Sequence, residues 1–131
     1  MRNPYDNIVN SATQAARLGA DVKLIQAKEA SESANATLKR ALIPSAQSIE
    51  LLTKEVHKAA KALSEIVGNS KGEYKTWFEQ LKNDLTRLTL AYKSMAGPGW
   101  DALKDLLKDV PQQAQKTLKD IFYKTTPEGA H

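Results

Sequence analysis

The sequence contains no cysteine and only two histidines in 131 residues. Without a thiol, the chain forms no disulfide, offers no thiolate to a metal ion and has no cysteine nucleophile. His57 lies among lysines and lacks the converging partners that a ligand site or a general base requires. The glycines are not grouped as a phosphate-binding loop. We therefore expect a non-enzymatic protein, and we predict no catalytic residue, no metal site and no cofactor.

Long apolar runs are also missing from the chain. No stretch approaches the roughly 20 consecutive apolar residues that a helix needs to cross a bilayer. The first ten residues lack the apolar core of a secretory signal. The lack of cysteine is typical of a reducing compartment. We therefore predict no membrane-spanning segment, and we favour the cytoplasm while leaving the localisation open.

A strong charge of one sign is absent as well. Nineteen basic and fifteen acidic residues leave a net charge of +4. This surplus is spread along the chain, whereas proteins that bind nucleic acids usually concentrate their basic residues on one face. A nucleic-acid-coating protein is therefore only a further alternative among the functions that we consider.

Two rows of apolar residues occupy the middle of the chain and step by alternating threes and fours. This spacing places side chains on one seam of an α-helix, as in a coiled coil. Gly68 and Gly72 lie between the rows, which predicts an antiparallel hairpin of helices at about 45–67 and 73–95. The first row is Ile49, Leu52, Val56, Ala59, Leu63 and Ile66, and the second is Tyr74, Phe78, Leu81, Leu85, Leu88, Tyr92 and Met95.

Further helices are expected on both sides of this hairpin. A long N-terminal helix is predicted within residues 1–44, where Gly19 is the residue that favours a break and Pro44 ends the helix. Two short helices are predicted within 96–131, divided by Pro111, and we expect them to cover one end of the hairpin. Because no run alternates β-branched with polar residues, we expect no strands.

The first predicted helix has small residues where a core-facing helix usually has large ones. Between Ile25 and Leu38 it contains no large apolar side chain. Each alanine methyl contributes only about 0.8 kcal/mol when it is buried, although small side chains let another helix approach closely. This helix would also be longer than its own hairpin, so we assign Ala27, Ala30 and Ala34 to a candidate contact with a partner.

The two tryptophans provide further candidates for partner contacts. Trp77 lies beside the seam of the third helix, where aromatic residues usually belong to the core but also anchor many interfaces. The segment from Trp100 to Val110 has large apolar residues on one side and aspartates on the other, and Trp100, Leu103 and Leu107 are its candidate binding residues. Over these eleven residues it resembles the helices of exchangeable apolipoproteins, which implies lipid binding. The alternative is a helix that closes over the core.

Together these patterns predict an all-α protein. We expect an elongated helical bundle, built on an antiparallel coiled-coil-like hairpin and forming one domain over residues 1–131. It should act through helix–helix packing as a structural or assembly protein, in a larger complex, a homo-oligomer or a filament. The expected partner is another protein or a second copy of the chain. The alternative is binding of amphipathic helices to a lipid, granule or membrane surface.

Overall fold

The computed structural model describes residues 22–41, 43–69 and 72–125, and these residues are mostly helical. Three long α-helices follow one another: α1 (Val22–Arg40), α2 (Ala46–Ile66) and α3 (Glu73–Ala96). They are followed by one 3-10 helix (Gly97–Lys108) and by α4 (Gln112–Lys124). The described part of the chain contains no strand, so the predicted all-α helical bundle is confirmed. The predicted break near Gly19 lies outside the described residues.

The predicted seams of α2 and α3 form the centre of the core. Most of their residues are almost fully buried, and those near the ends of the seams are partly buried against the same core. Burying a large aliphatic side chain contributes about 1.5–3 kcal/mol, so the two seams hold the helices together. The buried residues are Leu52, Val56, Ala59, Leu63, Ile66, Leu81, Leu85, Leu88 and Tyr92, and the partly buried ones are Ile49, Tyr74, Phe78 and Met95.

Local sequence sets both ends of α2. Ser45 is the N-cap, and its Oγ accepts a hydrogen bond from the backbone N–H of Ser48 at 3.1 Å. This bond satisfies one of the amide groups that have no partner within the helix. Beyond the other end, Gly68 has a φ of 84°, a left-handed conformation that stops a helix and that glycine adopts without strain. The observed ends agree with the predicted range of 45–67 to within one residue.

Helix α1 lies against both arms of the hairpin, so that α1, α2 and α3 form a three-helix bundle. The face of α1 that contacts the hairpin consists of small side chains, which allow the backbones to approach closely. Each buried methyl group contributes little, but the many close contacts along this face together stabilise the packing of α1. Its buried residues are Ala27, Ala30, Ser31, Ala34 and Thr37, and Ala41 follows just beyond the helix.

The C-terminal elements pack along the bundle rather than over one end of it. Helix α4 begins beside the end of α2, where Gln113 Nε2 donates a hydrogen bond to the backbone oxygen of Val67 at 2.9 Å. It ends beside the last turn of α3, where Lys93 Nζ donates to the backbone oxygens of Phe122 and Thr125. The carboxyl ends of two antiparallel helices lie at opposite ends of their hairpin. The expectation that the C-terminal helices cover one end is therefore corrected.

The first of the two short helices predicted after the hairpin is not an α-helix but a 3-10 helix of twelve residues. A 3-10 helix has three residues per turn, so the side chains at positions i and i+3 lie one above the other. Two ion pairs follow this alignment, Lys104 with Asp101 at 3.1 Å and Lys108 with Asp105 at 3.7 Å. The segment still has an apolar and a charged side, but its residues are aligned differently from those of an α-helix.

Candidate interaction surface

The alanine stripe that we assigned to a partner lies inside the fold. Ala27, Ala30 and Ala34 are at most 1% exposed, because α1 uses this face to pack against α2 and α3. The sequence indicated a close helix–helix contact correctly, but the contact is within the chain and not with another molecule. This is a correction to the predicted site, since these three residues offer no surface to a partner in the described structure.

A buried polar network fixes the position of α1 on α3. Asp84 is fully buried, and its Oδ2 accepts a hydrogen bond from Ser31 Oγ at 2.7 Å. Arg87 Nη2 donates to Asp84 Oδ1 at 2.5 Å and to Asn35 Oδ1 at 2.6 Å. Gln80 Nε2 also donates to Asp84 Oδ1, at 3.2 Å. Because sliding α1 along α3 would separate the buried carboxylate from Ser31, we infer that the network selects one register of the two helices.

Trp77 is half-buried where α1 meets the start of α3. Its side chain packs against the core, and Lys28 Nζ lies 5.8 Å from the centroid of its ring. The same ammonium group forms an ion pair with Glu73 at 3.3 Å. The indole therefore contributes to the contact between the two helices, and only its exposed part is accessible to another protein.

The apolar side of the 3-10 helix faces the bundle. Leu103 and Leu107 are 1% and 8% exposed. Trp100 is half-buried, and its ring meets that of Tyr123 edge to face with their centroids 5.8 Å apart. Lys104 Nζ lies 5.2 Å from the centroid of the Trp100 ring. In this structure the amphipathic segment therefore closes over the core, which is the arrangement that the sequence offers as the alternative to lipid binding.

Lys93 is a buried cation where α3, the 3-10 helix and α4 meet. Besides its bond to Phe122, Lys93 Nζ donates to the backbone oxygen of Thr125 at 2.6 Å, and it lies 4.1 Å from the centroid of the Trp100 ring. The free carbonyl groups at the end of a helix attract positive charge, so Lys93 caps α4. Burial lowers the pKa of Lys93, because removing water from the ammonium group disfavours its charged form.

We expect Lys93 to make stability dependent on alkaline pH. Its pKa in the folded protein lies below 10.5, the value of a free lysine, so between these two values the unfolded chain binds more protons than the folded protein. The contribution of Lys93 to the free energy of unfolding is therefore lowest below this window and rises with pH through it. The unfolding free energy of the wild type minus that of Lys93→Met should increase from neutral pH to pH 10.5.

Urea unfolding of both proteins at matched pH values measures this difference. Lys82→Met is the control, because Lys82 is exposed on the same helix, and the same subtraction for this variant should show no comparable rise. A difference between wild type and Lys93→Met that stays constant or falls with pH would contradict the expected linkage.

A groove of about 660 Å³ separates α2 from the segment that joins the 3-10 helix to α4. The apolar part of its lining includes Ala60 and Leu106, which are buried, and Val110, which is half-buried. Glu65 and Asp109 also line the groove and are exposed. The groove therefore combines an apolar floor with charged side chains at its rim, an arrangement typical of a binding cleft.

The exposed face of α2 forms a basic wall along this groove. Among the described residues, Lys58 and Lys61 have no ion-pair partner. Lys54 has one at 3.8 Å, Glu50, but the two side chains are 75% and 72% exposed, so this pair contributes little stability. The basic wall consists of Lys54, His57, Lys58 and Lys61.

Sequence reasoning missed the basic wall, although one signal for it was visible. Lys54, Lys58 and Lys61 are separated by four and then three residues, which places them on one face of a helix. A count of charges per segment does not detect such a face. The groove itself could not be read from the sequence, because its two sides come from residues 54–65 and 106–111 and meet only in the folded chain.

The described residues contain no cluster of histidine and carboxylate side chains that could hold a metal ion. None of the described helices is long and apolar enough to span a membrane. Comparisons with family models, with curated proteins and with solved structures find no match to this chain.

Proposed function

We propose that the protein is a non-enzymatic assembly protein that binds other protein chains, as a subunit of a larger complex, a homo-oligomer or a filament. The observation that supports this proposal most is the groove beside α2. It places buried and half-buried apolar groups next to exposed lysines that have no ion-pair partner among the described residues. Apolar contact surrounded by a polar rim is the usual anatomy of a protein–protein interface.

The buried polar residues also support the proposal, because helix packing already occupies them. Ser31 donates its hydroxyl hydrogen to Asp84, and Lys93 is bonded to two backbone carbonyl groups. Ser31 is 5% exposed and Lys93 is 6% exposed, so neither is readily accessible to a substrate in solution. Residues of these types are used here to hold helices together, as expected of a protein that acts through packing.

The lipid-surface alternative would require part of the fold to open. Leu103 and Leu107 would have to leave the bundle before the apolar side of the 3-10 helix could enter a membrane surface. Exposing two leucines costs about 3–6 kcal/mol before any lipid contact is made. Binding in the groove leaves the bundle intact, and for this reason we favour an assembly role over the lipid surface.

We expect the protein to be part of an oligomer or a larger complex in its source. We expect the protein isolated from its source to have a native mass above the 14.4 kDa of one chain. Sedimentation velocity of the purified full chain then separates the two possibilities, since a homo-oligomer stays large while a subunit of a mixed complex becomes monomeric. A mass of 14.4 kDa in the isolated material and in the purified chain at every concentration would contradict the proposal.

A further inference from the structure

We propose that the groove beside α2 binds an amphipathic helix of a partner protein, and that this helix has an acidic edge. The inference rests on the proposed function, because it names the partner for the same groove. Three features favour a short helical segment over a lipid or a nucleic acid: the charge of the basic wall, the dimensions of the groove and the separation of charges along it.

The charge of the basic wall selects an acidic partner. Lys58 and Lys61 are about 4.5 Å apart along the axis of α2, and Lys54 is about 10 Å from Lys61 along the same axis. Carboxylates three or four residues apart on a partner helix have a matching spacing. An incoming carboxylate would not displace an internal partner of Lys58 or Lys61, since neither has an ion pair among the described residues.

The dimensions of the groove suit one face of a helix. Its α2 side extends from Lys54 to Glu65, which is about 16 Å or three helical turns. Its volume of about 660 Å³ accommodates a few side chains rather than a folded domain. Apolar side chains that recur every three or four residues would contact Val110, which is half-buried, and Pro111, which is exposed, as in other complexes in which a helix binds in a groove. Ala60 and Leu106 belong to the same lining but are buried.

The charges along the groove also define the direction of the bound helix. Its lysines run from Lys54 to Lys61, whereas Glu65 lies four residues beyond Lys61, next to the end of α2. Asp109 lies on the opposite side of the groove. A helix has partial positive charge at its N-terminus and partial negative charge at its C-terminus. The partner helix should therefore run antiparallel to α2, with its N-terminus towards Glu65 and its C-terminus towards Lys54.

A synthetic peptide tests this binding mode on the full chain. The probe is an amphipathic helix of about four turns with leucines on one face, glutamates along one edge and alanines elsewhere, titrated by fluorescence anisotropy. The groove variant is Lys58→Glu/Lys61→Glu, and its matched control is Lys116→Glu/Lys119→Glu, which makes the same charge change at the same spacing on exposed residues of α4. We expect equal affinity for wild type and control, and at least about tenfold weaker binding by the groove variant.

Circular dichroism should show the wild-type helix content in both variants, because all four lysines are exposed. If the groove variant loses structure, Lys58→Ala/Lys61→Ala replaces it and should weaken binding in the same direction. A nitroxide at the N-terminus of the peptide should broaden the NMR signal of Glu65 more than that of Lys54. The reverse broadening would contradict the proposed direction of the helix.

Several results would overturn the inference. These are no binding of the peptide, equal binding to both variants, and equal binding of a peptide with the same composition in scrambled order. Vesicles of anionic phospholipid that bind to the basic wall when the peptide does not would assign the wall to lipid. If the peptide does not bind but the native complex has a mass above 14.4 kDa, the inference fails and the proposed function is unaffected. A monomeric native mass overturns the proposed function even if the peptide binds.

Discussion

Leu85→Asp should abolish the fold. Leu85 is fully buried in the seam of α3, where the described core contains a continuous cluster of aliphatic side chains. The substitution removes a buried leucine side chain, which costs about 2–5 kcal/mol. It also places a carboxylate in the core without a hydrogen-bonding or ion-pair partner, which costs several kcal/mol more. Domains of this size have only about 5–15 kcal/mol of stability, so the variant should be largely unfolded at 25 °C.

Loss of the cooperative thermal transition in circular dichroism measures this effect. The matched control is Leu90→Asp, the same change five residues later on the same helix, where the side chain is 37% exposed. The control should cost less than about 1 kcal/mol and keep its cooperative transition. If Leu85→Asp melts like the control, the seam of α3 does not lie in the core and the bundle described above is wrong.

Arg87→Met should be the most destabilising change at a partly exposed residue of α3. Arg87 forms an ion pair with Asp84, which is completely buried, and it also donates to Asn35 of α1. Removing one partner of a fully buried pair costs about 3–5 kcal/mol, because the other charge is left without compensation. The side chain of Arg87 is 45% exposed, so solvent already screens part of the interaction, and we expect a loss of about 2 kcal/mol.

Two further variants separate the ion pair from other effects of the substitution. Arg40→Met makes the same change at an exposed arginine of α1 and should cost less than about 0.5 kcal/mol in urea unfolding. Ser31→Ala/Asp84→Leu/Arg87→Met removes both charges together with the buried hydroxyl that donates to Asp84, so that Ser31 is not left as an unpaired buried donor. This variant should recover most of the stability lost in Arg87→Met. Equal costs for Arg87→Met and Arg40→Met would mean that the network does not stabilise the contact between α1 and α3.

The helices of the hairpin could be predicted because their signals are local. The spacing of Leu81, Leu85 and Leu88 specifies a helix and the face that it buries, whatever the rest of the chain does. Gly68 marks the end of α2 in the same local way, since its left-handed backbone conformation is one that other residues rarely adopt. These features depend on near neighbours in the sequence and therefore survive folding unchanged.

The surface against which each helix face packs could not be predicted from the same local signals. The stripe of Ala27, Ala30 and Ala34 indicates a close contact but contains no information about whether the second helix belongs to the same chain. The apolar side of the segment after Trp100 is likewise compatible with a core or with a lipid surface. Even the 3-10 form of that segment was hidden, because Trp100 and Leu103 share one side in either kind of helix.

The sequence also contains a signal of the buried polar residues. Asp84 follows Leu81 by three residues, and Lys93 follows Leu85 by eight, so both lie on or beside the buried face of α3. A charged residue at such a position indicates either that this face of the helix is not buried or that the charge has a specific buried partner. Only the folded chain identifies the partners, since Ser31 and the end of α4 are distant from these residues in the sequence.

The native mass of groove variants isolated from the source shows whether the groove beside α2 is the surface that binds other chains. We expect to recover the wild type and Lys116→Glu/Lys119→Glu in an assembly larger than 14.4 kDa, and Lys58→Glu/Lys61→Glu as a folded single chain of 14.4 kDa. Recovery of the groove variant in the same assembly as the wild type would show that the groove is not the binding surface. Recovery of the wild type itself at 14.4 kDa would contradict an assembly role altogether.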